Sequence, residues 1–168
     1  MKLIAAVDNN WGIGKNNKLL ISIPDDMKFF RETTTGNVVV MGRKTLESFP
    51  NKRPLKDRIN IVLTKDLSYK VEGATVCHSI EEVLEEIKQY DSDNVYIIGG
   101  GSIYNMFEPY CDTALITRID YVYDADTHFP NLEDKGWVME DESEEQTYFD
   151  VIYTFCKYTN ASHAEANS

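Results

Sequence analysis

Two adjacent carboxylates open an apolar segment at Ile23-Pro24-Asp25-Asp26-Met27-Lys28-Phe29-Phe30. Proline is tolerated in the first turn of a helix, so Pro24 can start one that carries Met27, Phe29, Phe30 and Thr33. An acid near a helix start is favoured by the positive end of the helix dipole, which accounts for Asp25. Asp26 lies three residues before Phe29 and four before Phe30, on or near the apolar side. A carboxylate facing an aromatic pocket would bind a fused heterocycle carrying adjacent N–H donors. As ordinary helix decoration it would bind nothing, and the residue types alone leave both readings open.

Three glycine-containing segments could meet a ligand with their backbone. Ile98-Gly99-Gly100-Gly101-Ser102 follows an apolar strand and precedes a helical pattern, so its N–H groups could face a phosphate. Met41-Gly42-Arg43-Lys44-Thr45 repeats the arrangement with two cations and a hydroxyl. Two such turns at one sheet edge could clamp both phosphates of a dinucleotide, although neither is the G-x-G-x-x-G fingerprint. Asn10-Trp11-Gly12-Ile13-Gly14-Lys15-Asn16-Asn17 reads as a mobile surface loop able to close over a site, with a plain connection as the alternative.

Elements must bring these segments together. Short β-branched runs at Leu3 to Val7, Val38 to Met41, Ile59 to Leu63, Thr75 to Cys77 and Val95 to Ile98 read as buried strands. Helical patterns lie between several of them, one opened by a capping box at Ser79 and Glu82 and another running from Gly100 to Phe107. From Ala114 onward the pattern is of strands alone: Ala114 to Ile119, Gly136 to Glu142, and Thr147 to Tyr158 after a polar turn at Ser143 to Gln146. The expected fold is α/β, with a central, mostly parallel twisted sheet, an antiparallel C-terminal edge and flanking helices. Residues 1–159 should form a single domain, and the small polar stretch from Asn160 to Ser168 a disordered tail.

Composition narrows the function classes. A chain of 168 residues with 42% hydrophobic and 27% charged residues is an ordinary globular protein. No apolar run is long enough to span a membrane. A net charge of −11 argues against nucleic acid, yet Arg43, Lys44, Lys52, Arg53, Lys56, Arg58 and Lys65 face only Glu47 and Asp57 within positions 43 to 65. Such a segment suits a small anion, or is simply a solvated loop. Cys77, Cys111 and Cys156 are widely spaced and read as reduced thiols of a cytoplasmic protein, with no metal site. The acidic surface leans towards a monomer.

Taken in order, the motifs resemble the dihydrofolate reductase family from Leu3 to about Tyr158. They are Leu3-Ile4-Ala5-Ala6-Val7-Asp8, Gly12-Ile13-Gly14, Ile23-Pro24-x-Asp26, Val40-Met41-Gly42-Arg43-x-Thr45 and Arg53-Pro54-Leu55. They continue with Arg58-x-Asn60-Ile61-Val62-Leu63-Thr64, Ile97-Ile98-Gly99-Gly100-Gly101 and Asp126-Thr127-His128-Phe129-Pro130.

The resemblance implies NADPH as cofactor and dihydrofolate as substrate, with hydride passing from nicotinamide C4 to pterin C6 and a proton to N5. Asp26 would accept hydrogen bonds from the pterin 2-amino group and N3–H, and Thr117 would orient it. Ala5, Ala6, Ile21, Met27, Phe30 and Leu55 would line the substrate cleft, and Arg58 would pair with the α-carboxylate of the glutamate tail. Backbone groups of Ala6 and Ile13 would hold the nicotinamide carboxamide, Ile98 and Tyr104 would flank the nicotinamide side of the cleft, and Gly14, Leu19 and Ile103 would also contact the cofactor. Lys44, Thr45 and the N–H groups of Gly100 and Gly101 would meet the pyrophosphate, Arg43, Thr64 and Lys65 would surround the adenosine 2′-phosphate, and Gly42, Leu63, Gly99 and Ser102 would also contact the cofactor. The Gly99–Gly100 bond is cis in the family.

Two positions depart from the family pattern. Leu19-Leu20-Ile21 stands where Leu-Pro-Trp is usual, which removes the tryptophan that holds a water near the pterin. Ala125 replaces a common glycine before Asp126. Two other readings compete with a folate reductase: a pyrimidine reductase of riboflavin synthesis on the same scaffold, and a non-catalytic nucleotide-binding module.

Overall fold

A computed structural model describes residues 1–160. Its main sheet is built from β1 (Lys2–Val7), β4 (Val38–Gly42), β5 (Ile59–Leu63), β6 (Ala74–Cys77), β7 (Val95–Gly99), β8 (Thr113–Ile119), β10 (Trp137–Glu142), β11 (Gln146–Tyr148) and β12 (Val151–Asn160). The spatial order is β10-β12-β8-β1-β7-β4-β5-β6, with β11 also on β12. The six strands from β8 to β6 run parallel, and β12 returns antiparallel against β8. The helices are α1 (Pro24–Thr34), α2 (Arg43–Glu47), α3 (Ile80–Glu86) and α4 (Gly101–Phe107).

The parallel strands read as unbroken apolar runs because both of their faces are covered. In β4, Val38 and Val40 join the larger core with Ile61, Ile97 and Phe107, while Val39 and Met41 pack with Leu46 and Val62 on the opposite face. A third cluster, Ile23, Ile119 and Tyr153, sits beneath the start of α1 and fixes where that helix begins.

Ala114 to Ile119 pairs antiparallel with β12 as expected, but its other side joins the parallel strands through β1. Other expectations are corrected. The run from Thr147 to Tyr158 is two strands, because Phe149 adopts a positive φ of 52° and turns the chain between β11 and β12. Gln146 belongs to β11 rather than to the turn. The glycine-rich segment after Asn10 is partly a strand: β2 (Gly12–Lys15) lies between β3 (Lys18–Leu19) and β9 (Thr127–His128) in a small second sheet. Periodicity could not reveal it, since glycine, lysine and asparagine carry no alternating apolar signal.

In the capping box Ser79 Oγ accepts the Glu82 amide at 3.1 Å, but Glu82 Oε2 reaches back to the His78 N–H at 2.7 Å instead of that of Ser79. Asn160 is the last residue of β12, paired with Trp137, so it is no part of a tail. The remainder of the expected tail, 161–168, lies outside the described residues.

Candidate active site

Asp26 is the third residue of α1, brought to the sheet by Pro24 at the first helical position and by Ile23 buried just before it. Its carboxylate Oδ1 accepts the Thr117 hydroxyl at 2.5 Å. Thr117 is buried in β8, in register with Ala6 of β1 and Phe155 of β12. Phe29 packs on Phe155 at 5.0 Å between ring centroids, so the helix and its acid are docked over the same three strands. Burial raises the Asp26 carboxyl above the ordinary carboxylate range, and the Thr117 hydroxyl opposes that rise. Asp25 is different: it is exposed, and meets the Tyr153 hydroxyl only at 3.5 Å.

Beside this acid, Tyr104 is buried with its hydroxyl donated to the Ile4 carbonyl at 2.7 Å. Burial first, and then the nearby charge of Asp26, push that phenol upward. Met27 and Phe30 keep part of their surface exposed on α1, while Ala5 and Ala6 are half-buried on β1. Leu55 packs with Phe49 and Ile98 on the cluster of Val39, Met41 and Val62. Its loop is pinned by buried Asn60, whose side chain accepts the Leu55 N–H at 3.0 Å and donates to the Leu55 carbonyl at 2.9 Å. Arg58 donates to the Thr34 hydroxyl at 3.1 Å and the Lys56 carbonyl at 2.9 Å, both neutral oxygens. Ile21 turns to the Ile23 cluster under α1.

The two glycine turns do face one another. Met41 and Gly99 are partners across β4 and β7, and the Gly99–Gly100 bond is cis. A Cβ built on Gly100 would have Thr45 Oγ1 as its nearest neighbour at 3.7 Å. A Cβ on Gly101 would stand 2.7 Å from Thr127 Cγ2 and 3.2 Å from the His128 carbonyl, so that position needs the bare backbone, while one on Gly42 would crowd Ile103 Cγ1 at 3.0 Å. Neither α2 nor α4 has a side chain capping its first turn. Their leading N–H groups can therefore serve an anion. This cradle fits a dinucleotide pyrophosphate, with Lys44 and Ser102 exposed at its rim.

Arg43, at the start of α2, is already engaged. Its Nε donates to Glu47 at 2.6 Å, Nη1 donates to Asp66 at 3.2 Å, and its guanidinium lies 4.9 Å from the Tyr69 ring centroid. Leu63 is buried at the end of β5, Thr64 follows it, and Lys65 is exposed.

The small sheet borders the cleft. Asp8 is buried and accepts the N–H groups of Asn10, Gly12 and Tyr123 at 2.8 to 2.9 Å, which ties the β1–β2 connection to the segment before β9. A Cβ on Gly12 would meet the Ala125 methyl at 2.7 Å, so the alanine is accommodated against bare glycine backbone. Gly14 is paired with both Leu19 and Thr127, Ile13 is half-buried, and Leu19 is exposed.

The sequence reading missed roles for Asp8, Asn60 and Asp66. Asp8 and Asn60 stood inside quoted motifs, but a polar residue's bonds to distant backbone leave no local signal. Asp66 lay one position beyond the basic segment.

The chain is similar to known proteins in sequence and fold. A family model described as dihydrofolate reductase matches residues 1–160. The chain is 39% identical over 155 residues to dihydrofolate reductase of Haemophilus influenzae, covering 90% of this chain and 94% of that one. Against dihydrofolate reductase of Bacillus subtilis it is 32% identical over 168 residues, with 98% of each chain covered. Among solved structures, dihydrofolate reductase from Enterococcus faecalis complexed with NADP(H) and RAB-propyl matches with a TM-score of 0.84 and 33% identity over 95% of each chain. With a half-buried acid over the sheet, paired glycine turns and these likenesses spanning the described fold, the chain belongs to the dihydrofolate reductase family.

Proposed function

We propose that this chain reduces 7,8-dihydrofolate to 5,6,7,8-tetrahydrofolate with NADPH. The observation that carries the reading is Asp26: a half-buried carboxylate, held by Thr117, on a helix whose neighbouring side chains Met27 and Phe30 remain open to a ligand. When bound, NADPH supplies a hydride to pterin C6, and the ring gains a proton at N5.

Asp26 accepts the pterin 2-amino and N3–H groups in this reading. Its charge, sheltered from water, favours the protonated ring over the neutral one. Thr117 fixes which oxygen faces the ligand, because it occupies Oδ1. Ala5, Ala6, Ile21, Met27, Phe30 and Leu55 enclose the ring system and exclude water. Arg58 is half-buried with its hydrogen bonds on neutral oxygens, which leaves its charge for the glutamate tail.

Ala6, Ile13, Gly14 and Leu19, with Ile98, Ile103 and Tyr104, border the nicotinamide. Lys44, Thr45, Ser102 and the backbone of Gly42 and Gly99 to Gly101 hold the pyrophosphate. Arg43, Leu63, Thr64 and Lys65 surround the 2′-phosphate. Residues 1–160 act as one reductase domain, as a monomer in the cytoplasm; three buried free thiols support a reducing compartment.

Asp26→Asn tests the reading: turnover at neutral pH should fall by about 100-fold or more, while the dissociation constant for NADPH stays within about twofold. Equal losses in both would make Asp26 a structural residue.

A further inference from the structure

The cation expected at the adenosine 2′-phosphate does not stand alone. Arg43 carries five N–H donors. Its Nε is taken by Glu47, four residues on in α2, and its Nη1 by Asp66 in the turn after β5. Tyr69 covers one face of the guanidinium. Two carboxylates therefore hold this cation, Glu47 from its own helix and Asp66 from the turn after β5.

Asp66 is set there by its own turn. Its N–H donates to Thr64 Oγ1 at 3.2 Å, and its Oδ1 accepts both the Ser68 N–H at 2.9 Å and the Ser68 hydroxyl at 2.6 Å. Those bonds leave Oδ2 for Arg43. The pair is open to water, with side chains 43% and 42% exposed, so it contributes little to stability and is readily exchanged. Its charge still acts on a dianion a few ångströms away, inside the screening length of about 10 Å at 0.1 M salt.

We propose that Asp66 is a specificity-determining residue: a resident carboxylate that occupies the 2′-phosphate position on Arg43 and weakens the chain's preference for NADPH over NADH. The inference rests on the reading of Arg43 as the 2′-phosphate ligand. An arriving phosphate therefore meets an Arg43 already paired with two carboxylates, Glu47 and Asp66, rather than an unpaired cation. Binding requires Asp66 to yield its hydrogen bond and to tolerate a second anion beside it.

Asp66→Asn isolates the effect. The amide oxygen can keep both Ser68 bonds, while an NH2 group replaces the oxygen that faces Arg43. Dissociation constants for NADPH, NADH and 2′,5′-ADP are measured by calorimetry for the wild type, Asp66→Asn and Arg43→Gln, with melting temperatures to confirm folding. Asp66→Asn should tighten NADPH and 2′,5′-ADP by about tenfold at low salt, and NADH by less than about twofold. The gain should shrink by several-fold near 1 M salt, where screening is about 3 Å. If Arg43→Gln collapses the NADPH preference but Asp66→Asn leaves it unchanged, the proposal alone is overturned. If Arg43→Gln leaves the preference intact, the reading of Arg43 falls and the proposal with it.

Discussion

Replacing Thr117 with valine conserves the shape of a buried side chain and removes one hydroxyl hydrogen bond from Asp26. A hydrogen bond to a charged group contributes about 1.5–3 kcal/mol, and one between neutral groups about 0.5–1.5 kcal/mol. Thr117→Val should therefore lose about 1.5–3 kcal/mol of folding stability when Asp26 is ionised. In an Asp26→Asn background, where the partner is neutral, the same change should cost about 1 kcal/mol less. Urea unfolding of the two single variants, the double variant and the wild type at neutral pH gives this coupling directly. The acid itself should respond too. Thr117 holds the Asp26 carboxyl down against burial, so its loss should move the acid limb of dihydrofolate binding to higher pH. A coupling within about 0.3 kcal/mol of zero, together with an unmoved acid limb, would refute the claim that Thr117 acts through the Asp26 charge.

Other consequences can be checked independently. Asp26→Asn should stabilise the protein at neutral pH: burial raises the folded carboxyl above its unfolded value of about 3.9, so stability is lost as pH rises through the folded value. The gain should vanish below the unfolded value, and a variant less stable than wild type at neutral pH would contradict it. Arg58→Leu should raise the KM for dihydrofolate by about 100-fold, the worth of a charge-assisted bidentate pair, while the NADPH dissociation constant is unchanged in fluorescence titrations. Gly101→Ala should cost about 1–3 kcal/mol of stability in thermal unfolding and weaken NADPH, because its methyl would meet Thr127 and the His128 carbonyl.

The parts of this molecule legible in sequence are those with a local signature. Val38 to Met41 and Val95 to Ile98 are apolar throughout because helices cover both faces of their strands, and Pro24 with Ile23 fixes the start of α1. The Thr117–Asp26 hydrogen bond was expected only through the family resemblance, since 91 residues separate the partners. The small sheet of β2, β3 and β9 was hidden because backbone pairing of glycines has no compositional mark, and because Asp8 holds it in place from the end of β1. The break at Phe149 was hidden for a related reason: an exposed aromatic with positive φ runs against its own β propensity. Asp66 could be named as an acid, but its opposition to Arg43 depends on β4 and β5 lying side by side.

The central claim is tested most directly by adding 7,8-dihydrofolate to the purified chain with NADPH and following cofactor absorbance and product together. The account predicts that NADPH is consumed mole for mole as tetrahydrofolate appears. A chain that binds NADPH but leaves its absorbance unchanged with dihydrofolate, or consumes it only with a ribityl pyrimidine, would contradict that claim.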